Sequence, residues 1–377
     1  MSMTKRKHPV ESKLSIEIVA GGPFAKPVLP FELHFRPPED PILKRLSRRY
    51  NLEKIAGTGT DFARARRLKS WVRRQWNHGF DQLPSPYHAI DLLAATKTGK
   101  SFQCGHYSQA FVECCLAVGL PARVIGVTRK EVAFPYNHPG NAGHVVAETY
   151  CRELQHWILF DCDTNCYFVD EKDRPVGAID IHEALHAKKQ KHIRLIQDRP
   201  AFASPQPTEA ISQQELDRIV RDIQRHQTKQ FYHNIHTGTV QGYQGSANHG
   251  YEAKCVRFAG CTQHPVALSF RQNDGEAGST GFLTAQREHW DWPINRTYAR
   301  ATMLGQKPSP RVRVDLEHSM PFFAHYELHF NGHALPRQRG SQVSLTLRDG
   351  MNEFTAAAVD RTGRAGSNAM LQIRLRK

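Results

Sequence analysis

Hydrophobic and polar positions recur in two different periods along this 377-residue chain. Residues 62–76, FARARRLKSWVRRQW, put Leu68, Trp71, Val72 and Trp76 on one side at helical spacing, opposite a solvated basic face. Asp61, with Thr60 as its rival, caps the start. A short helix is predicted near 87–96, which Gly99 helps to stop. A longer one over 106–118 buries Tyr107, Phe111, Cys114, Cys115 and Val118 and ends at Gly119 and Pro121. PARVIGVTR, HVVAETYC and HWILFDCD are β-rich, and NCYFVDEKDRPVGAID reads as strand and turn. Ser212 and Glu215 form a capping box ahead of Leu216, Ile219, Val220 and Ile223.

Over the last eighty or so residues the period changes to two. Val343, Leu345 and Leu347 alternate inward, as do Phe354, Ala356 and Ala358, and Leu371, Ile373 and Leu375. Asp349-Gly350 and Thr362-Gly363 supply turn chemistry between these runs. This pattern predicts a β-sandwich of immunoglobulin-like type. The chain divides into a β-rich N-terminal extension (1–55), a core of helices and strands (56–236), a Gly-, Gln- and Asn-rich connector (237–304) and the sandwich (305–377).

Composition narrows the class. Hydrophobic residues make up 40% and charged residues 23%, as in soluble globular proteins. No run of 18 apolar residues occurs, and the basic N-terminus lacks a following apolar stretch, so a membrane partner is excluded and a cytoplasmic location expected. The net charge of +15 admits an anionic polymer as a partner. The densest basic stretch, 62–76, is read as an amphipathic helix rather than a nucleic-acid site, which disfavours nucleic acid.

The eight cysteines raise the question of chemistry. Cys162 and Cys166 are spaced C-x3-C, but no second pair with zinc-finger spacing follows, so neither metal nor cofactor is called for. Cys104 differs from the rest. It sits at the mouth of a predicted helix, where the helix dipole favours a thiolate, and Gly105 keeps the approach open. A nucleophilic cysteine also needs a histidine and a group that orients it. His144 opens a β-rich run, and HWILFD ends at Asp161. If these runs pair as a hairpin, His144 and Asp161 share one end of it. Asp163 lies on the same face of the strand and competes for the orienting role. His106 and His138 are read as surface or rim residues.

The segment GKSFQCGHYSQAFVECCLAVGLPARVIGV resembles the nucleophile segment of the transglutaminase-like superfamily, a branch of the papain-like cysteine enzymes. The turn Gly119-Leu120-Pro121-Ala122-Arg123, the GHVVAE run at 143–148 and WILFD at 157–161 match the family's order. The resemblance covers roughly residues 60–170. It implies an α+β, papain-like core with helices on an antiparallel sheet, and a Cys104–His144–Asp161 triad acting through an acyl-enzyme. It further implies a peptidase, amidase or amine acyltransferase acting on protein or peptide substrates, with hydrolysis favoured because calcium clusters are not evident. Trp76 and Gln103 are the implied side-chain donors to the oxyanion, and Trp157 either shields the His–Asp pair or is a core aromatic. The alternative is a non-catalytic binding module of the same fold that recruits an anionic polymer or a protein.

Overall fold

The computed structural model describes residues 15–26, 34–84, 87–128, 143–199, 287–291, 293–305 and 309–376, together with short backbone segments at 234–237, 251–252, 256–258 and 282–284. The predicted 212–223 helix and His138 lie outside the described residues. Contacts group the chain into two units, Leu29–Trp292 and Met1–Val28 with Pro293–Lys377.

The larger unit is built around the helix Cys104–Ala117, of whose residues all but Cys104 are buried. Its polar side chains are accommodated by specific partners. Ser108 Oγ donates to the Val145 carbonyl at 3.0 Å, and Gln109 Nε2 to the Tyr87 carbonyl at 3.0 Å. The Glu113 carboxylate accepts the Ala89 N–H at 2.9 Å, at the open end of the helix Ala89–Ala95. A buried polar group with its hydrogen bonds made avoids the cost of desolvation, so this helix tolerates burial on every side. It stops where predicted. Gly119 takes φ +74, and the Leu120 N–H returns to the Cys115 carbonyl at 2.9 Å.

Helices Pro41–Tyr50, Leu52–Ala56 and Asp61–Arg73 pack nearby. The first two correct the β-rich reading of 1–55. Asp40 caps Pro41–Tyr50 by accepting the N–H groups of Ile42 and Leu43, and Leu43 and Leu46 form its buried stripe. Thr60, not Asp61, caps Asp61–Arg73, accepting the Ala63 N–H at 3.2 Å. Asp61 is buried against Arg152 instead.

The basic residues of that helix divide: Arg66 and Arg67 are exposed, as on a solvated face. Arg64, Lys69 and Arg73 are buried, whereas Trp71 is only half-buried. Arg64 donates to the Val118 carbonyl at 3.1 Å, Lys69 to the Asn165 carbonyl at 2.8 Å and to Asp198 at 2.7 Å, and Arg73 to the Trp76 carbonyl at 3.0 Å. Long cationic side chains here serve as internal cross-links because carbonyls and carboxylates meet their heads.

The sheet of this unit has eight strands, in the order 282–284, 256–258, 234–237, 122–128, 143–151, 156–161, 166–169 and 194–197. Every neighbouring pair is antiparallel except the first, which is parallel. Three of these strands therefore lie beyond the 56–236 core or at its end, in what the sequence marks as connector. The run read as a turn near Ala178 is a helix, Ala178–His186, with buried Ile179, Ile181 and Leu185.

The smaller unit holds a five-stranded sheet and a three-stranded one, all antiparallel. Val312, Val314 and Leu316 share a core with Phe354, Ala356, Ala358, Leu371, Ile373 and Leu375. The predicted alternation holds, as a two-sheet core requires. The boundary at 305 shifts. Thr297–Gly305 pairs with Arg311–His318, and Ser15–Gly22 pairs with Ala369–Arg376, so the N-terminal strand completes this unit by long-range pairing.

Candidate active site

The site forms where the helix Cys104–Ala117 begins and the hairpin Gly143–Cys151/His156–Asp161 opens. The hairpin register runs from Cys151↔His156 to Ala147↔Phe160. One step further sets Asp161 opposite Val146, which faces the same way as His144. The consequence is a contact: His144 Nε2 lies 2.9 Å from Asp161 Oδ2. The other oxygen of Asp161 accepts the Thr164 N–H at 3.2 Å, so the carboxylate is fixed at both ends. Asp161 is fully buried, and the His144 side chain is 12% exposed.

His144 thus turns Nε2 to Asp161, and Cys104 lies close enough to act on the same imidazole. Burial would push the imidazole pKa down. The Asp161 carboxylate and the Cys104 contact outweigh it and hold His144 well above the usual histidine range. An imidazolium is therefore favoured between a carboxylate and a sulfur.

Cys104 is the half-buried thiol among the six described cysteines. Burial pushes Cys115 up to about 12, and Cys114, Cys151, Cys162 and Cys166 well above the ordinary thiol value. Those five fill the core, with Cys115 and Cys166 also meeting the hydroxyls of Thr149 and Thr164. Among the described residues, no group of three or more His, Cys, Asp or Glu side chains is arranged to hold a metal.

The competitor Asp163 is engaged elsewhere. Both its oxygens meet His78 Nδ1, at 2.9 and 2.8 Å. His106 is not at the rim: it is fully buried between Tyr87 and Phe102, and burial lowers its pKa to about 4.

The supporting residues separate. Gln103 occupies the N-cap position, half-buried, and its side chain makes no capping hydrogen bond. Trp76 is buried and donates its indole N–H to the Phe102 carbonyl at 3.1 Å, with its ring stacked on Tyr107 at 4.2 Å. That N–H is committed to the backbone just before Cys104. Trp157 sits opposite Tyr150, four residues from Asp161, or roughly 13 Å along an extended strand. The Arg123 guanidinium covers its ring at 4.1 Å and binds Glu148 through two nitrogens, at 2.9 and 2.7 Å. Trp157 is thus a wall of the buried Arg123–Glu148 pair, the core-aromatic alternative. The His78–Asp163 pair escaped sequence reading because the two residues are far apart in the chain.

The family model of the transglutaminase-like superfamily matches residues 48–162, which hold the helix, the hairpin and all three of Cys104, His144 and Asp161. The chain carries a transglutaminase-like domain over that span. Among solved structures, a candidate cysteine protease from Cytophaga hutchinsonii is similar at 15% identity and TM-score 0.25, covering 41% of this chain and 47% of that one. Red sea bream transglutaminase is similar at 10% identity and TM-score 0.24, covering 83% and 53%. This chain thus spans about half the length of each, and at those scores neither superposition bears on the site. No curated protein matches the sequence. Among the described residues no helix is long and apolar enough to cross a membrane.

Proposed function

We propose that the chain is a transglutaminase-like cysteine enzyme acting on amide bonds of protein or peptide substrates. The observation that carries this reading is the His144 Nε2–Asp161 Oδ2 contact at 2.9 Å, next to a half-buried Cys104 at the start of its helix, with Asp161 and Cys104 together raising the His144 pKa. In this reading the Cys104 thiolate attacks the amide carbonyl, and the carbonyl carbon–sulfur bond forms as the π electrons move to oxygen. The Cys104 backbone N–H, at the open start of its helix, receives that oxyanion, with Gln103 as the side-chain donor beside it. The imidazolium then gives its proton to the leaving amine as the C–N bond breaks, which leaves a thioester. Neutral His144 next takes a proton from water or from an amine, whose attack releases the acyl group and restores the thiol pair. Asp161 holds the ring and stabilises its charge throughout. No cofactor enters this cycle.

Water as the second nucleophile makes the enzyme a peptidase or amidase, and an amine makes it an acyltransferase. The half-buried sulfur and the fixed imidazole serve either. The core is read as papain-like and the smaller unit as immunoglobulin-like, the latter supported by its two antiparallel sheets around one core. The reading as a mere binding module predicts no dependence of thiol reactivity on His144.

An amide-based acylating probe, with the released amine and the protein-bound thioester both quantified, tests the proposal. A thioester on the unaltered protein and none on Cys104→Ala is the expected result. Absence of the adduct across peptide amides and esters, with the thiol free, would end it.

A further inference from the structure

Phe80 is 73% exposed, the most exposed large hydrophobic side chain among the described residues. Its backbone is nevertheless tied down. The Gly79 N–H donates to the Phe102 carbonyl at 3.2 Å, and the Asp81 N–H to the Ser101 carbonyl at 2.9 Å. The Ser101 N–H returns to Asp81 Oδ2 at 2.8 Å. Ser101 is three residues from Cys104, at most about 11 Å of chain. A methyl group on Gly79 would stand 2.5 Å from Ser101 Cβ, so the two segments approach as closely as glycine allows.

The other side of Phe80 is bounded by His78, whose ring meets it edge-on at 5.3 Å and 78°. His78 is in turn held by both oxygens of Asp163, two residues beyond Asp161. One aromatic pair is thereby braced from the Cys104 side through Ser101 and Phe102, and from the Asp161 side through Asp163. Leaving a phenylalanine in water forgoes stabilisation that burial would supply. An exposed ring on a backbone tied to the segment that leads into Cys104 is complementary to an apolar group brought by the substrate.

We propose that His78 and Phe80 form the specificity rim for the acyl donor, selecting peptides with an aromatic or aliphatic side chain next to the reacting carbonyl. This rests on Cys104 being the nucleophile. Asp163 is a positioning residue that acts through His78.

The test uses two peptidyl chloromethyl ketones that differ only in whether the reacting residue, whose side chain lies next to the carbonyl, is phenylalanine or glycine. Alkylation of Cys104 is followed by intact mass. Each rate is divided by that of iodoacetamide, which has no side chain to recognise. The phenylalanine probe is expected to react about tenfold faster, the effect of roughly half-burying an aromatic side chain. Phe80→Ala should bring the ratio near one, Phe80→Leu should keep most of it, and Asp163→Asn should reduce it. Equal rates in the unaltered protein, or a ratio that survives Phe80→Ala, overturn the rim and leave Phe80 as a contact for another protein surface. Failure of iodoacetamide to label Cys104 at all sinks the nucleophile assignment instead, so the two failures are distinguishable.

Discussion

Asp161 and Asp163 stand two residues apart and hold different histidines. Asp161 meets His144 Nε2 at 2.9 Å, while Asp163 grips His78 Nδ1 with both oxygens. One end of the hairpin therefore carries two imidazole–carboxylate pairs, the first facing the thiol and the second facing Phe80.

Asp161→Asn removes the carboxylate that keeps the His144 proton. Because the folded pKa of His144 is raised, the stability it contributes is fully present below the unfolded value near 6.5 and is lost as pH rises through the folded one. The melting temperature of the unaltered protein relative to Asp161→Asn should therefore be higher near pH 6 and converge at alkaline pH. Iodoacetamide labelling of Cys104 at pH 6 should slow about tenfold in the variant, as the thiolate loses its cationic partner.

His106 has the opposite sign. Its folded pKa is lowered to about 4 by burial, so the unfolded chain takes up a proton first as pH falls from 6.5. The protein should lose up to about 3 kcal/mol between pH 6.5 and 4 from this residue. Urea unfolding of His106→Phe across that window should show a shallower loss, and a parallel loss would exclude the assignment.

Lys69 is fully buried, with burial lowering its pKa, and it fastens Asp198 and the Asn165 carbonyl, in the turn that follows Asp161, to the helix Asp61–Arg73. Lys69→Met should cost about 3–5 kcal/mol by leaving Asp198 with Arg66 alone. Adding Asp198→Asn should recover part of that cost in denaturant titrations. Additivity of the two changes would mean the pair is not coupled.

Gln103, at the N-cap of the Cys104 helix, makes no capping hydrogen bond, and in the proposed cycle its side chain meets the oxyanion. Gln103→Leu should slow acylation by an amide or ester probe about a hundredfold while iodoacetamide labelling persists, since alkylation forms no oxyanion. Trp76→Phe should instead lower stability by about 1 kcal/mol through its lost bond to Phe102. A hundredfold acylation defect in the tryptophan variant, with stability intact, would exchange the two roles.

Much of the site was legible in the sequence. The glycine at 119 and the buried stripe of 106–118 announced the Cys104 helix, and the β-rich runs at 143–151 and 156–161 announced its neighbours. Local periodicity also located the strands of the smaller unit, though not the partner of Ser15–Gly22, which lies at the far end of the chain. The helices within 41–56 carried a readable signal in Asp40-Pro41, but the prolines around it obscured the pattern. Of the basic residues of Asp61–Arg73, Arg66 and Arg67 are exposed as expected, whereas Arg64, Lys69 and Arg73 misled, because a charged side chain signals a solvated face unless its partner can be seen.

By itself the sequence determined the helix that presents Cys104, the strands that carry His144 and Asp161, and the inward alternation of the C-terminal sheets. These follow from backbone preferences and from burial of one face, which are local properties. Only the tertiary structure decided between Asp161 and Asp163, returned Trp157 to the Arg123–Glu148 pair and gave His78 its place beside Phe80. A period of two would set both aspartates on one face, but the strand ends at Asp161, Asp163 falls in the turn that follows, and packing brings His78 to it from a remote part of the chain.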